Sequence, residues 1–327
     1  MPSHATPARP AAPAEKTALP LHLLRCPATG EPLVWEDGAL VAERSGHRYP
    51  VHAGTIPLFA EVPETRDASR QQAHYEKVAS QYIESLGYAH TIAYNDYLDD
   101  VFLEALGPGR LGTTAELCCG HGEAFALVGD RVDEGLGVDI SVSMLEAAAV
   151  RAPGRLHWLQ GDATRLPLPD ASLDHVLMFG GIHHVSDRAG LFAEIARVLK
   201  PGGRFLWREP VSDFWLWRAL RAVVYRLSPA LDHETERPLL KQETLPPLRD
   251  AGLEPETWRT CGFFAFTVLM NSDVLVVNRW LRFLPGIRAI TRALARFDDA
   301  CLRLPGLADA GLQVVGAARK PGEATQG

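Results

Sequence analysis

"AELCCGHGEAF", residues 115–125, is the stretch of this 327-residue chain whose reading decides the fold. An apolar run stops at Cys118 and Cys119 and is followed by Gly120, His121 and Gly122. A metal site, a thiol reaction or a backbone bent closely around a ligand could each use such a stretch. Metal sites want ligand pairs at a workable spacing such as Cys-x-x-Cys, and adjacent cysteines with no second pair nearby offer poor geometry. A redox site wants the same spacing. What remains is a strand-to-helix turn. Its glycines let a ligand approach the backbone, beside a helix N-terminus that favours negative groups. A tight turn that binds nothing is the plain alternative, so the neighbouring segments must decide.

From Leu111 onward, short apolar segments alternate with helical ones. The strands are "TAELC", "GLGVD", "RLHWLQ", "DHVLMF" and "RFLWR", with helices predicted over 122–131, 142–151 and 188–199. Such alternation builds a parallel sheet covered on both faces, with ligands held outside the carboxyl ends of the strands. The second strand ends in "GVDIS", where Asp139 can accept from both hydroxyls of a ribose. A dinucleotide site shares that feature. Its G-x-G-x-x-G pattern, however, needs a third glycine where Phe125 stands. The third strand leads into "GDATRLPLP", which sets Asp162 and Ala163 where an adenine ring could sit; a turn-forming aspartate is the alternative.

Taken together and in order, "ELCCGHGE", "GVDIS", "GDA", "FGGIHHVSD" and "LKPGGRFLWREP" resemble the motif series of class I S-adenosylmethionine-dependent methyltransferases. The resemblance covers roughly residues 111–210 and is greatest to the branch containing ubiquinone and menaquinone methyltransferases. It implies an α/β, Rossmann-like fold with a seven-stranded sheet, and S-adenosyl-L-methionine as cofactor. By the same resemblance, Glu116 lies near the methionine ammonium, and Gly120 and Gly122 flank the methionine and ribose. Asp139 takes the ribose hydroxyls with Ile140 beside it, Met144 packs near adenine, and Asp162 and Ala163 meet the adenine edge. Phe179, at the end of the fourth strand, joins the cofactor-binding candidates. So does Cys118, which stands where the family usually has glycine and adds a Cβ at the closest backbone approach. "HYEKVASQY" resembles the family's opening helix, in which an aromatic residue covers the cofactor. Tyr75 and Tyr82 are the candidates, with plain core packing at i, i+7 as the alternative.

Methyl transfer is an in-line displacement in which the protein aligns donor and acceptor and excludes water. A base can assist. Candidates at the strand ends are His183 and His184 after the fourth strand and Glu209 after the fifth. No metal site is assigned, although Glu209, Asp213 and His184 are the side chains that would have to meet to form one.

The N-terminal part reads differently. "LLRCPATGEPL" followed by "YPVHAGTIPLF" resembles the zinc-ribbon domain found as an activator subunit of tRNA and release-factor methyltransferases. Only Cys26 remains of its cysteine pairs, with Thr29 in the partner's place, and one thiol cannot hold a structural zinc. The expectation is a metal-free ribbon used for packing or for covering the active site, with His47 and His52 as turn histidines.

The expected organisation is a Pro- and Ala-rich disordered tail over 1–20, the ribbon-like domain over 21–62, and a methyltransferase domain over 68–320. The last opens with helical periodicity over 68–106, ended by "GPGR", and carries cap insertions at about 210–240 and 261–310. A net charge of −7 argues against nucleic acid as the main partner, and five unpaired cysteines fit a reducing cytosol. The apolar insertions point to an apolar or lipid-like acceptor of the aromatic polyketide, quinone or isoprenoid kind. Arg218, Arg221 and Arg226, interleaved with apolar residues, are compatible with a peripheral membrane face. Two other readings compete. One is a non-catalytic, methyltransferase-like binding protein. The other is a tRNA or protein methyltransferase, weakened by the acidic charge and by "GGIHHV" in place of an Asn-Pro-Pro-Tyr signature.

Overall fold

The computed structural model describes residues 19–60, 87–151, 156–219, 237–270 and 276–322. Four short strands come first: β1 (Leu33–Glu36), β2 (Ala39–Ala42), β3 (Arg48–His52) and β4 (Ile56–Pro57), an antiparallel sheet in that order. Helix α1 (Ala89–Leu106) follows, and Gly107 closes it in a positive-φ conformation within the breaker that the sequence predicts. Residues 61–86 lie outside the described residues, and Tyr75 and Tyr82 with them.

The central sheet is assembled from β5 (Thr113–Leu117), β6 (Glu134–Asp139), β7 (Leu156–Gln160), β8 (Leu173–Phe179), β9 (Leu199–Pro210), β10 (Glu254–Cys261) and β11 (Gln313–Arg319). Its order is β10-β11-β9-β8-β5-β6-β7. β11 runs antiparallel to both its neighbours, and β7, β6, β5, β8 and β9 are parallel. This is the seven-stranded, Rossmann-like sheet that the sequence leads one to expect.

The pleat divides the apolar residues between two cores. Ala115, Leu117, Leu136, Val138, Val176, Met178, Phe205 and Trp207 face one side. Trp158, Leu177, Leu206 and Val315 face the other. Helices α2 (Glu123–Val128) and α3 (Val142–Arg151) cover the second face with α1, whereas α4 (Arg188–Val198) and α5 (Lys241–Asp250) cover the first. The chain therefore runs outward from β5 to β7 over one face and returns to β8 with crossovers on the other. The carboxyl ends of β5 and β8 form the switch point, where a crevice opens in sheets of this kind.

The small sheet is continuous with the first core, because Leu24, Leu33, Leu40 and Tyr49 belong to the same apolar cluster as Leu166 and Phe192. The Cys26 thiol lies 3.1 Å from the Tyr49 hydroxyl, so it packs against a phenol. At the far edge, Phe59 donates its N–H to Gln160 O at 2.8 Å and Leu58 bridges to Gln160 in parallel, extending β7 by one more segment.

Between β10 and β11 the chain inserts α6 (Phe264–Met270), a 3-10 helix (Val276–Phe283) and α7 (Ile287–Leu302). These pack on α1 at the carboxyl end of the sheet, since Cys261 at the end of β10 pairs with Gln313 and Gln313 with Pro210. Asp298 of α7 is fully buried and ties the insertion together. Its carboxylate accepts the N–H groups of Phe263, Ala265 and Phe266 at 2.8–3.0 Å and the Tyr94 hydroxyl at 2.7 Å.

Candidate active site at the strand ends

The loop after β5 is held from two sides. Glu116 is buried, and its carboxylate accepts from Ala124 N at 2.8 Å and Phe125 N at 2.9 Å. These are N–H groups at the start of α2 that have no partner within their own helix. Burial, opposed by those two bonds, pushes the Glu116 carboxyl up to about 8. From the next strand, the Asp139 carboxylate accepts Gly120 N at 2.8 Å and Ser141 N at 2.9 Å. Burial raises the Asp139 carboxyl as well. Two carboxylates thus shape the turn 118–122 by accepting backbone donors.

Gly122 occupies the left-handed region at φ 78°, and a Cβ there would stand 2.9 Å from the Trp158 ring, so only glycine suits it. Cys118 also has a positive φ, 48°, a backbone conformation that glycine adopts without strain. Its thiol faces the carboxylates of Asp139, Glu209 and Asp162. Those charges, after burial itself, push the thiol well above its ordinary value. A protonated thiol is neither a good nucleophile nor a good metal ligand, so the side chain lines a wall.

Space opens next to this turn. A Cβ added at Gly120 would meet nothing within 4 Å, and one at Gly180 only the His183 ring at 3.9 Å. Just past the ends of the neighbouring strands β6 and β7 stand half-buried Ile140, buried Met144 in the first turn of α3, half-buried Asp162 and buried Ala163. The Asp162 carboxylate accepts the Thr164 N–H at 2.8 Å and its hydroxyl at 2.7 Å.

On the other flank, after β8, Glu209 is buried completely and organises the loop 181–183. One carboxylate oxygen accepts Gly181 N at 2.6 Å and Ile182 N at 2.8 Å; the other accepts His183 N at 3.3 Å and His183 Nδ1 at 2.8 Å. Against an ionised carboxylate, which only accepts, Nδ1 is the donor, and in the neutral imidazole Nε2 is then the acceptor. The His184 ring lies against that of His183, centroids 3.8 Å apart and planes tilted by 40°. A Cβ at Gly181 would lie 2.6 Å from the Cys118 Cβ, so this loop and the cofactor-candidate turn touch.

The fold places Glu116, Cys118, Gly120, Gly122, Asp139, Ile140, Met144, Asp162, Ala163, His183, His184 and Glu209 at one end of the sheet. Three further side chains stand there that no sequence motif announces. Arg208 is buried under the candidate Phe179, with its guanidinium carbon 4.2 Å from the ring centroid; its Nη1 lies 2.5 Å from Asp99 Oδ1 of α1 and its Nη2 3.6 Å from Glu123 Oε2 of α2. Asp99 is the second, reaching in from α1. Gln160 is the third, with its amide bonded to Ala60 on both atoms and to Ile140 O at 3.2 Å. Arg208 in "WREP" and Gln160 in "WLQGD" both sit at strand ends, the one signal that could have found them. Among the described residues no group of three or more His, Cys, Asp or Glu side chains is placed to hold a metal ion, and Glu209, Asp213 and His184 form none.

Residues 115–207 match the family model described as "Methyltransferase domain". The chain is 36% identical over 99 residues to the chloroplastic 2-phytyl-1,4-beta-naphthoquinone methyltransferase of Arabidopsis thaliana, covering 27% of this chain and 38% of that protein. It is 36% identical over 117 residues to the ubiquinone/menaquinone biosynthesis C-methyltransferase of Rubrivivax gelatinosus, covering 36% of this chain and 47% of that one. The chain thus spans 37% to 50% of the length of the first curated relatives it matches. Among solved structures, the (4+2)-cyclase SpnF superposes with a TM-score of 0.55 at 21% identity, over 78% of this chain and 97% of that one. This last likeness concerns the fold alone.

Proposed function

We propose that this chain binds S-adenosylmethionine across the carboxyl ends of β6, β5 and β8 and transfers its methyl group to an apolar, quinone-type small molecule. The observation that carries the reading is the Asp139 carboxylate, which joins the end of β6 to the Gly120 N–H beside the open space over Gly120. Gly120 N and Ser141 N each engage one of its oxygens and Ile140 N adds a third backbone donor, which still leaves lone-pair capacity toward a ribose hydroxyl. The quinone-type acceptor is suggested by the names of the two curated relatives and by the apolar insertion beside the site.

Bound S-adenosylmethionine supplies an electrophilic methyl carbon on a sulfonium. There it would offer that carbon to the acceptor's electron pair, the carbon–sulfur bond breaking to leave a neutral thioether, and the acceptor would give up a proton. His183 Nε2 takes that proton. Glu209 keeps the imidazole oriented through Nδ1 and offsets the imidazolium charge. Glu116 orders the turn without touching the acceptor, and Arg208 holds Phe179, α1 and the start of α2 together around the donor side.

Calorimetric titration with S-adenosylmethionine tests the first part, with Asp139→Ala expected to weaken binding at least tenfold. Folded wild-type protein that binds no cofactor would sink the proposal. Cofactor binding without methyl transfer is the alternative reading. Single-turnover assays with quinone precursors separate the two. His183→Ala is expected to lower the rate about a hundredfold or more while the cofactor Kd holds, as for other positioned bases.

A further inference from the structure

We infer that the outer face of the insertion between β10 and β11 is a docking surface for an anionic lipid bilayer. The 3-10 helix and the turn after it expose Trp280 to 71%, Phe283 to 65% and Leu284 to 46%. On α7, Ile290, Leu294 and Phe297 are also exposed, the last to 55%, at the i, i+4, i+7 spacing that shares one helix flank. Scattered surface apolar residues need no explanation; six on adjoining elements, with two aromatic rings 6.0 Å apart, do.

Charge identifies the occupant. The chain carries a net charge of −7, yet residues 279–303 hold six arginines against two aspartates. Of those aspartates, Asp298 is buried under its four donors and Asp299 is paired with Arg259 and Arg303. Arg288, Arg292 and Arg296 are exposed on α7, four residues apart, and among the described residues they form no ion pair. The buried stripe through Ile287, Thr291 and Ala295 seats the helix. The apolar flank lies to one side of that stripe and the arginine flank to the other. This is how an interfacial helix meets a membrane: apolar side chains enter the headgroup boundary and long cationic ones reach anionic phosphates. A second copy meeting the same face about a twofold axis perpendicular to α7 would set arginines against arginines. The acidic remainder of the molecule is repelled by such a surface, so contact is confined to this face.

No helix among the described residues is long and apolar enough to cross a membrane, so the contact is peripheral. It lies at the end of the sheet that carries the candidate site, where an apolar acceptor could pass from bilayer to protein. The docking itself does not rest on methyl transfer.

The test is sedimentation of the full-length chain with phosphatidylcholine vesicles, with and without phosphatidylglycerol. Wild-type protein is expected to pellet with the anionic vesicles and to be released by high salt. Arg288→Glu, Arg292→Glu and Arg296→Glu combined should weaken partition about a hundredfold, from the usual contribution of a basic residue near an anionic surface. The pair Trp280→Ser and Phe283→Ser should weaken it too. All these side chains are exposed, so unchanged circular dichroism and cofactor affinity are the expected controls. Failure of cofactor binding would then be read separately from failure of docking. Wild-type protein that stays in the supernatant, or binds neutral vesicles equally, overturns the inference. So does a dimer in light scattering that the Trp280/Phe283 variant dissolves, which would assign the face to a second copy.

Discussion

Two short helices in this molecule begin on a buried carboxylate, and the carboxylates come from very different distances along the chain. Glu116 sits on the strand leading into α2, eight and nine residues before the N–H groups it accepts. Asp298 sits on α7, 32 to 35 residues beyond the N–H groups it accepts at α6, and 204 residues from Tyr94. The physical device is the same: the first N–H groups of a helix have no internal partners, and carboxyl oxygens placed there accept them. In the first case a motif announces the device. In the second, nothing near Asp298 in sequence does, and the aspartate staples an insertion that has no sheet of its own.

The largest effect should come from breaking the long-range member. Asp298→Ala leaves three backbone donors and a hydroxyl buried without their acceptor. At roughly 1–3 kcal/mol for each unsatisfied buried group, less what relaxation recovers, a loss of about 4 kcal/mol is expected. Urea denaturation measures it, and a loss below about 1 kcal/mol would show that the insertion does not lean on this carboxylate.

The local member should respond less, and with a pH signature. Glu116→Gln can accept only through its single amide oxygen, so a loss of about 2 kcal/mol is expected in acid. Burial holds the wild-type carboxyl at about 8 against 4.5 in the unfolded chain, so the folded state binds this proton more tightly. Its stabilising contribution is complete below pH 4.5 and disappears as the pH rises through about 8. The advantage of the wild type over Glu116→Gln should therefore shrink across that range. An advantage that widens would mean that the two N–H donors outweigh burial.

The smallest effect has the opposite sign. Cys118 holds a left-handed backbone that glycine adopts without strain, so Cys118→Gly should stabilise the protein by about 1 kcal/mol, seen as a thermal midpoint higher by a few degrees. A lower midpoint would show that the thiol fills its wall to better effect than a glycine would relieve the turn.

The parallel strands were legible because both their faces are buried, which turns each into a short apolar run bounded by turn residues. The helix predicted over 142–151 matches Val142–Arg151 in the structure. That predicted over 122–131 divides at Gly129 into α2 and a 3-10 turn. Five residues, "RFLWR", are predicted for the fifth strand, and it spans twelve: β11 pairs with it over Arg204–Pro210, and an irregularity joins that stretch to the Leu199–Leu173 pair with β8. The site was legible in its residues and not in its bonds. Glu209 is recognisable in "WREP", but its four donors come from residues 181–183, brought back by the return of the chain to β8.

By itself, the sequence determined the alternation of strands and helices, the turn at 118–122 and the identity of the polar residues at the strand ends. Each of these is encoded by neighbours within a few residues, through periodicity and through the backbone preferences of glycine. Only the tertiary structure decided which carboxylates are spent on backbone donors, that Arg208 joins α1, α2 and β8, and that the insertion turns an apolar and arginine-bearing face outward. Those outcomes depend on contacts between segments tens to hundreds of residues apart, and burial and hydrogen bonding at that range leave no local periodicity to read.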